Sequence, residues 1–109
     1  MVDFTDTKEV IKLEPVLQHI GLDIGRAVRE GCRVSIRVED APNLTMDSEF
    51  TTTLTSASIN EESKYLYLNG DNLRLMFHFE EYSQGTESMT HNKFYFHSKG
   101  ASLTVVIKF

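Results

Sequence analysis

The chain has 109 residues, 40 % of them hydrophobic, which suffices for one packed core and leaves no length for a second domain. Its 11 basic and 16 acidic residues give a net charge of −5, which opposes the sequence-independent attraction to phosphate backbones on which most nucleic-acid binding rests. No apolar run is long enough to cross a bilayer, the first residues lack the basic and apolar regions of an export signal, and the single cysteine, Cys32, cannot close an internal disulfide, so a cytoplasmic protein without a membrane anchor is expected.

Residues 1–13 are polar and acidic, with Val10, Ile11 and Leu13 as their apolar cluster, and read as a flexible or weakly structured lead-in, with a short strand or helical turn as the alternative. Over 15–30 the apolar residues Val16, Leu17, Ile20, Ile24 and Val28 recur at helical spacing, Pro15 suits the first turn, and Gly31 supplies the stop. Gly21 and Gly25 each weaken a helix by about 1 kcal/mol relative to alanine. They share one helix face, and the pattern favours close approach of the helix to a sheet over a helix–helix dimer contact.

Residues 32–40 alternate, with Val34, Ile36 and Val38 inward and Arg33, Ser35, Arg37 and Glu39 outward, and a turn at Ala41, Pro42 and Asn43 ends the strand. The next strand, 49–59, changes apolar phase from Phe50 and Leu54 to Ala57 and Ile59, as a β-bulge at Thr55 and Ser56 would require. Such bends curl a small sheet toward a barrel.

The remainder reads as hairpins in which alternate residues face a core. A tip at Gly70 and Asp71 sets Leu68 opposite Leu73 and Leu66 opposite Leu75, with Tyr67 facing Arg74 and Tyr65 facing Met76. A loose polar connection over 83–90 then lets Phe77 face Phe96 and Phe79 face Phe94, with Met76 beside His97, His78 beside Tyr95 and Glu80 beside Lys93. Lys99, Gly100 and Ala101 turn the chain into a last strand whose Leu103, Val105, Ile107 and Phe109 complete the inner face. The expected fold is a single α+β domain, 1–109, with one N-terminal helix (15–30) packed on a strongly twisted antiparallel meander of about six strands (32–109). A half-open barrel is its close variant.

No Gly-rich phosphate loop, metal-ligand spacing, or nucleophile with an assignable base is present, so neither an enzyme nor a cofactor is expected. The outer sheet face instead gathers Tyr65, Tyr67, Arg74, Met76, His78, Tyr82, Lys93, Tyr95 and His97, residue types enriched in protein interfaces. The same types also suit an ordinary solvated sheet. On the first reading the chain is a non-enzymatic binding or assembly module whose partner-binding residues are Tyr65, Tyr67, Arg74, Met76, His78, Tyr95 and His97. A last strand as apolar as 103–109, with Val106 on its outer side, would aggregate if left as an edge, which argues for a homodimer or ring.

The alternative is a small anionic-ligand or nucleotide-binding domain using Arg26, Arg29, Arg33 and Arg37 at the helix–strand junction, although arginines at a helix C-terminus also complement its dipole. His78, His97 and Glu80 share a face in the expected register, but solvated histidines account for them equally, and no metal site is assigned.

Overall fold

A computed structural model describes residues 1–40, 47–88, 90–98 and 101–109. The turn expected at 41–43, and residues 99 and 100 of the later turn, lie outside the described residues. The elements are β1 (Val2–Asp3), α1 (Thr7–Val10), α2 (Pro15–Glu30), β2 (Arg33–Asp40), β3 (Asp47–Asn60), β4 (Tyr65–Gly70), β5 (Arg74–His78), β6 (Glu81–Ser88), β7 (His91–Ser98) and β8 (Ala101–Lys108). They form the expected α+β architecture, in an eight-stranded antiparallel sheet of order β5-β4-β3-β2-β8-β7-β6 with β1 added to β3.

Helix α2 begins with Pro15 and ends where Gly31 adopts φ 66° and the Cys32 N–H donates to Ala27 O at 2.9 Å. Its buried stripe of Leu17, Ile20, Ile24 and Ala27 shares one core with Val34, Ile36, Phe94, Phe96, Leu103, Val105 and Ile107 on the inner face of the sheet.

The lead-in takes up the short strand β1 and the helical turn α1 and packs against the core. Phe4 is 1 % exposed, and its N–H donates to Ala57 O at 3.0 Å. Asp6 caps α1, and the Gln18 amide donates to Ile11 O at 3.0 Å and Leu13 O at 2.6 Å, fastening the turn to α2. This segment explains the two helix glycines. A Cβ on Gly21 would stand 2.8 Å from Val10 Cγ1, and one on Gly25 would fall on the Phe4 carbonyl. The close approach expected of them is real, but the neighbour is the N-terminal segment rather than the sheet, and both glycines are buried within the fold.

The first long strand pairs with the last. Val34, Ile36 and Val38 stand opposite Ile107, Val105 and Leu103, so β8 lies between β2 and β7 with a partner on each side. The exposed apolar edge from which a homodimer or ring was inferred is therefore not present at β8. Strand β3 shifts register between Leu54 and Ser56, where the phase change demanded a bulge.

Two expected registers are corrected. In the β4–β5 hairpin Leu68 faces Leu75, Leu66 faces Phe77 and Tyr67 faces Met76, which preserves every facing but moves each partner two residues along. Gly70 is not at the tip because it lies opposite Leu54, where a Cβ would collide with the Thr52 side chain. The second correction is that β5 never pairs with β7. Polar β6, expected as a loop, takes that place, with Tyr82 opposite Phe96 and Gln84 opposite Phe94.

The edge strands β5 and β6 are consecutive in the chain, yet they stand at opposite ends of a sheet that is not closed. Since every neighbour along the path is antiparallel, they run in the same sense, and residues 74–88 pass from one edge to the other as one bent extended run. At the bend the Phe79 N–H donates to Lys64 O at 3.0 Å and the Glu80 N–H to His97 O at 2.7 Å. The sheet is thereby curled into the half-open form.

One polar tie orients α2 inside this curl: Asp23 Oδ2 accepts from Gln84 Nε2 at 3.0 Å and Asn92 Nδ2 at 2.9 Å. Burial pushes the Asp23 carboxyl above its ordinary range, against the Gln84 hydrogen bond and the nearby His19 and Arg26.

Gly25→Ala should lower stability by about 1–3 kcal/mol in urea denaturation, because overpacking against Phe4 outweighs the gain in helix propensity. An unchanged or higher midpoint would contradict this account of the glycine face. Because the folded-state pKa of Asp23 is raised, its contribution is fully present below its ordinary value of 3.8 and is lost as pH rises through the folded value. The melting temperature of Asp23→Asn relative to the parent chain should therefore climb from acid toward neutral pH. A difference that is flat or falls with pH refutes the assigned direction.

Candidate functional site

Strand parity builds the outer face. In β4 and β5, Leu66, Leu68, Leu75 and Phe77 turn toward the core, leaving Tyr65, Tyr67, Asn69, Arg74, Met76 and His78 on the other side. Direct cross-strand pairs bring Tyr65 opposite His78, Tyr67 opposite Met76 and Asn69 opposite Arg74. The Tyr65 ring meets His78 edge-on at 5.2 Å and Tyr67 at 6.4 Å. Beside them β3 contributes only Ser56, Ser58 and Asn60, and Met76 is left 61 % exposed. Five of the seven expected partner-binding residues thus form one patch.

The other two do not join it. Tyr95 and His97 stand on β7 between Thr104 and Ser102 on one side and Ser83 and Glu81 on the other, and β3, β2 and β8 separate them from β4 along the sheet. Lys93 places its ammonium 5.4 Å from the centre of the Tyr95 ring. Tyr82, expected outside, turns inward against Phe79 at 5.5 Å and Phe96 at 6.1 Å, because the bend at 79–80 resets the alternation. His78 and His97 belong to different ladders, so the juxtaposition weighed as a metal site does not form. Among the described residues no group of three or more His, Cys, Asp or Glu is placed to hold a metal ion.

The four arginines divide between two surfaces. Arg26 pairs with Glu30 at 3.0 Å and covers the Phe109 ring at 4.7 Å, and Arg29 lies exposed in the last helical turn. Arg33 and Arg37 project from the outer face of β2, where Arg37 meets Glu39 at 3.1 Å. Since α2 covers the inner face, no single anion can be reached by all four. Burial and the adjacent Glu30 push the Cys32 thiol up, away from the reactive thiolate.

One concavity had no signal in the sequence. Between the start of α2 and the bend at 79–80 lies a cleft of about 640 Å³ with a floor of Leu17, Ile59, Phe79 and Tyr82. Its rim carries Glu14, Glu61, Glu80 and Glu81, with Lys64 as the one base lining it. The rim residues come from segments remote in sequence, and only the curl of the sheet assembles them. Burial, reinforced by Glu14, pushes the Tyr82 hydroxyl up to about 12.

No family model, curated protein or solved structure matches this chain. Among the described residues no helix is long and apolar enough to cross a membrane.

Of the four tyrosines, Tyr82 should ionise near pH 12 rather than at the ordinary 10.0, visible as a late step in the ultraviolet titration that Tyr82→Phe abolishes. The sign is that of a raised acid: the stability held by the neutral phenol is present below 10.0 and lost as pH rises through the folded value. A single step with all phenols together near 10.0 would show that Tyr82 is not enclosed.

Proposed function

We propose that the chain is a non-enzymatic binding or assembly module of the cytoplasm that engages a protein partner, or a second copy of itself, through the outer face of β4 and β5. The observation that carries this reading is the exposed Met76 among Tyr65, Tyr67 and His78. An exposed methionine offers an adaptable apolar contact, and tyrosine and arginine supply the anchors typical of interface centres.

The sheet edges support this reading less well. Strand β5 has five residues, and both edges are bound at the 79–80 bend, a poor template for strand addition.

The test is sedimentation of the purified chain over a wide concentration range, together with capture from its native cell extract. The Tyr67→Ala/Met76→Ser double variant should keep the parent's melting temperature but bind its partner at least roughly tenfold more weakly, as loss of a hot spot requires. An equivalent pair of changes at Ser35 and Thr104 on the outer face of β2 and β8 should have no effect. Retention of the same partner or self-association by both variants would remove the patch from consideration.

A further inference from the structure

The cleft at the bend is a separate feature from the outer patch, and its chemistry is specific. Its volume of about 640 Å³ is that of a small-molecule pocket. Leu17, Ile59 and Phe79 are buried beneath it, and the half-buried Tyr82 stands edge to face with Phe79, their ring centres 5.5 Å apart at 85°. Apolar walls exclude a strongly hydrated ion, while the half-buried Tyr82 ring gives an organic cation a favourable face. The Tyr82 hydroxyl has no hydrogen-bond partner among the described residues, which leaves a neutral donor and acceptor at the cleft.

The charge around this floor is one-sided. Among the described residues neither the carboxylates of Glu14, Glu61, Glu80 and Glu81 nor the Lys64 ammonium forms an ion pair. Electrostatic focusing over a low-dielectric floor then draws cations in and repels anions. From the aromatic floor, the volume and this charge together we infer that the cleft binds an alkylammonium or alkylguanidinium group, its stem on Leu17 and Ile59 and its cationic end beside Phe79, Tyr82 and the rim carboxylates. The charge comes either from a free amine or from a lysine or arginine side chain of an incoming segment, since both present the same group on a similar stem.

The probes are n-butylammonium chloride, n-butanol and sodium butyrate, titrated into the isotope-labelled full chain and followed by amide chemical shifts. Butylammonium should give saturable shifts at Leu17, Phe79, Glu80 and Tyr82. Butanol should bind there roughly tenfold more weakly, and butyrate not at all. Glu14→Gln and Glu80→Gln should each weaken butylammonium by roughly threefold to tenfold, whereas Glu62→Gln, on the same β3–β4 turn but outside the cleft, should not. A Gly-Lys-Gly peptide that binds more tightly than butylammonium identifies a side chain as the source, and one that binds less tightly identifies a free amine. The Tyr67→Ala/Met76→Ser variant should bind butylammonium like the parent chain, so the outer patch and the cleft stand or fall separately. Equal binding of butanol, shifts spread over the acidic surface at large, or unchanged affinity in the Glu14 and Glu80 variants would overturn the assignment.

Discussion

The pairing of β2 with β8 sets the architecture. It joins residues about seventy positions apart through Val34, Ile36 and Val38 against Ile107, Val105 and Leu103, so it cannot form until the chain between is organised. The return is large: five of these six side chains, Val34, Ile36, Leu103, Val105 and Ile107, are wholly inaccessible to solvent, and each such side chain contributes about 1.5–3 kcal/mol of transfer free energy. The ladder also removes the most apolar strand of the protein from the edge. What a sheet alone would expose as an aggregation hazard becomes its centre.

That choice dictates where the edges fall. With β2 and β8 joined in the middle, the ends of the path are β5 and β6, which the chain links through Phe79 and Glu80. A flat sheet would hold these ends several strand spacings apart, so so short a link forces the curl. The concave side of the curl receives α2, the Phe4 segment closes over the helix through its two glycines, and the opening left at the bend is the cleft. Strain is concentrated there too: Lys64, the one non-glycine residue with positive φ among the described residues (57°), accepts the Phe79 N–H that begins the bend. The outer patch owes its position to the same geometry, because β4 and β5 form one end of the strand order.

Much of this was legible in the sequence, and the limits have physical causes. Helix α2 was readable to its ends because Pro15 and Gly31 carry local signals, and the β3 bulge because a phase change in apolar residues has few other meanings. Facing was readable throughout β4 and β5, but register was not: apolar alternation has a period of two, so a slide by two residues leaves every side chain on its expected face. Glycine misled because two physical demands share one residue type. At Gly70 the demand is space beside Thr52, not a tight turn. Strand β6 carried no apolar alternation beyond Tyr82, since Ser83, Gln84 and Gly85 offer no apolar side chain, and missing it misplaced Tyr82, Tyr95 and His97 relative to the patch. The cleft was invisible because its rim depends on which strands are not neighbours.

The outer patch and the cleft divide chemical labour in a way that the net charge of −5 alone conceals. Around the patch, Arg74 and His78 are the ionisable side chains on β5 and the flanking residues of β3 are neutral, whereas four carboxylates against one ammonium surround the cleft. A surface so divided disfavours a contact that covers both regions with one sign of charge. The bend at 79–80 holds the two at a fixed separation, since the Phe79 and Glu80 N–H groups are both committed to neighbouring strands. Rigidity at that point reduces the ordering cost of any association that uses either surface.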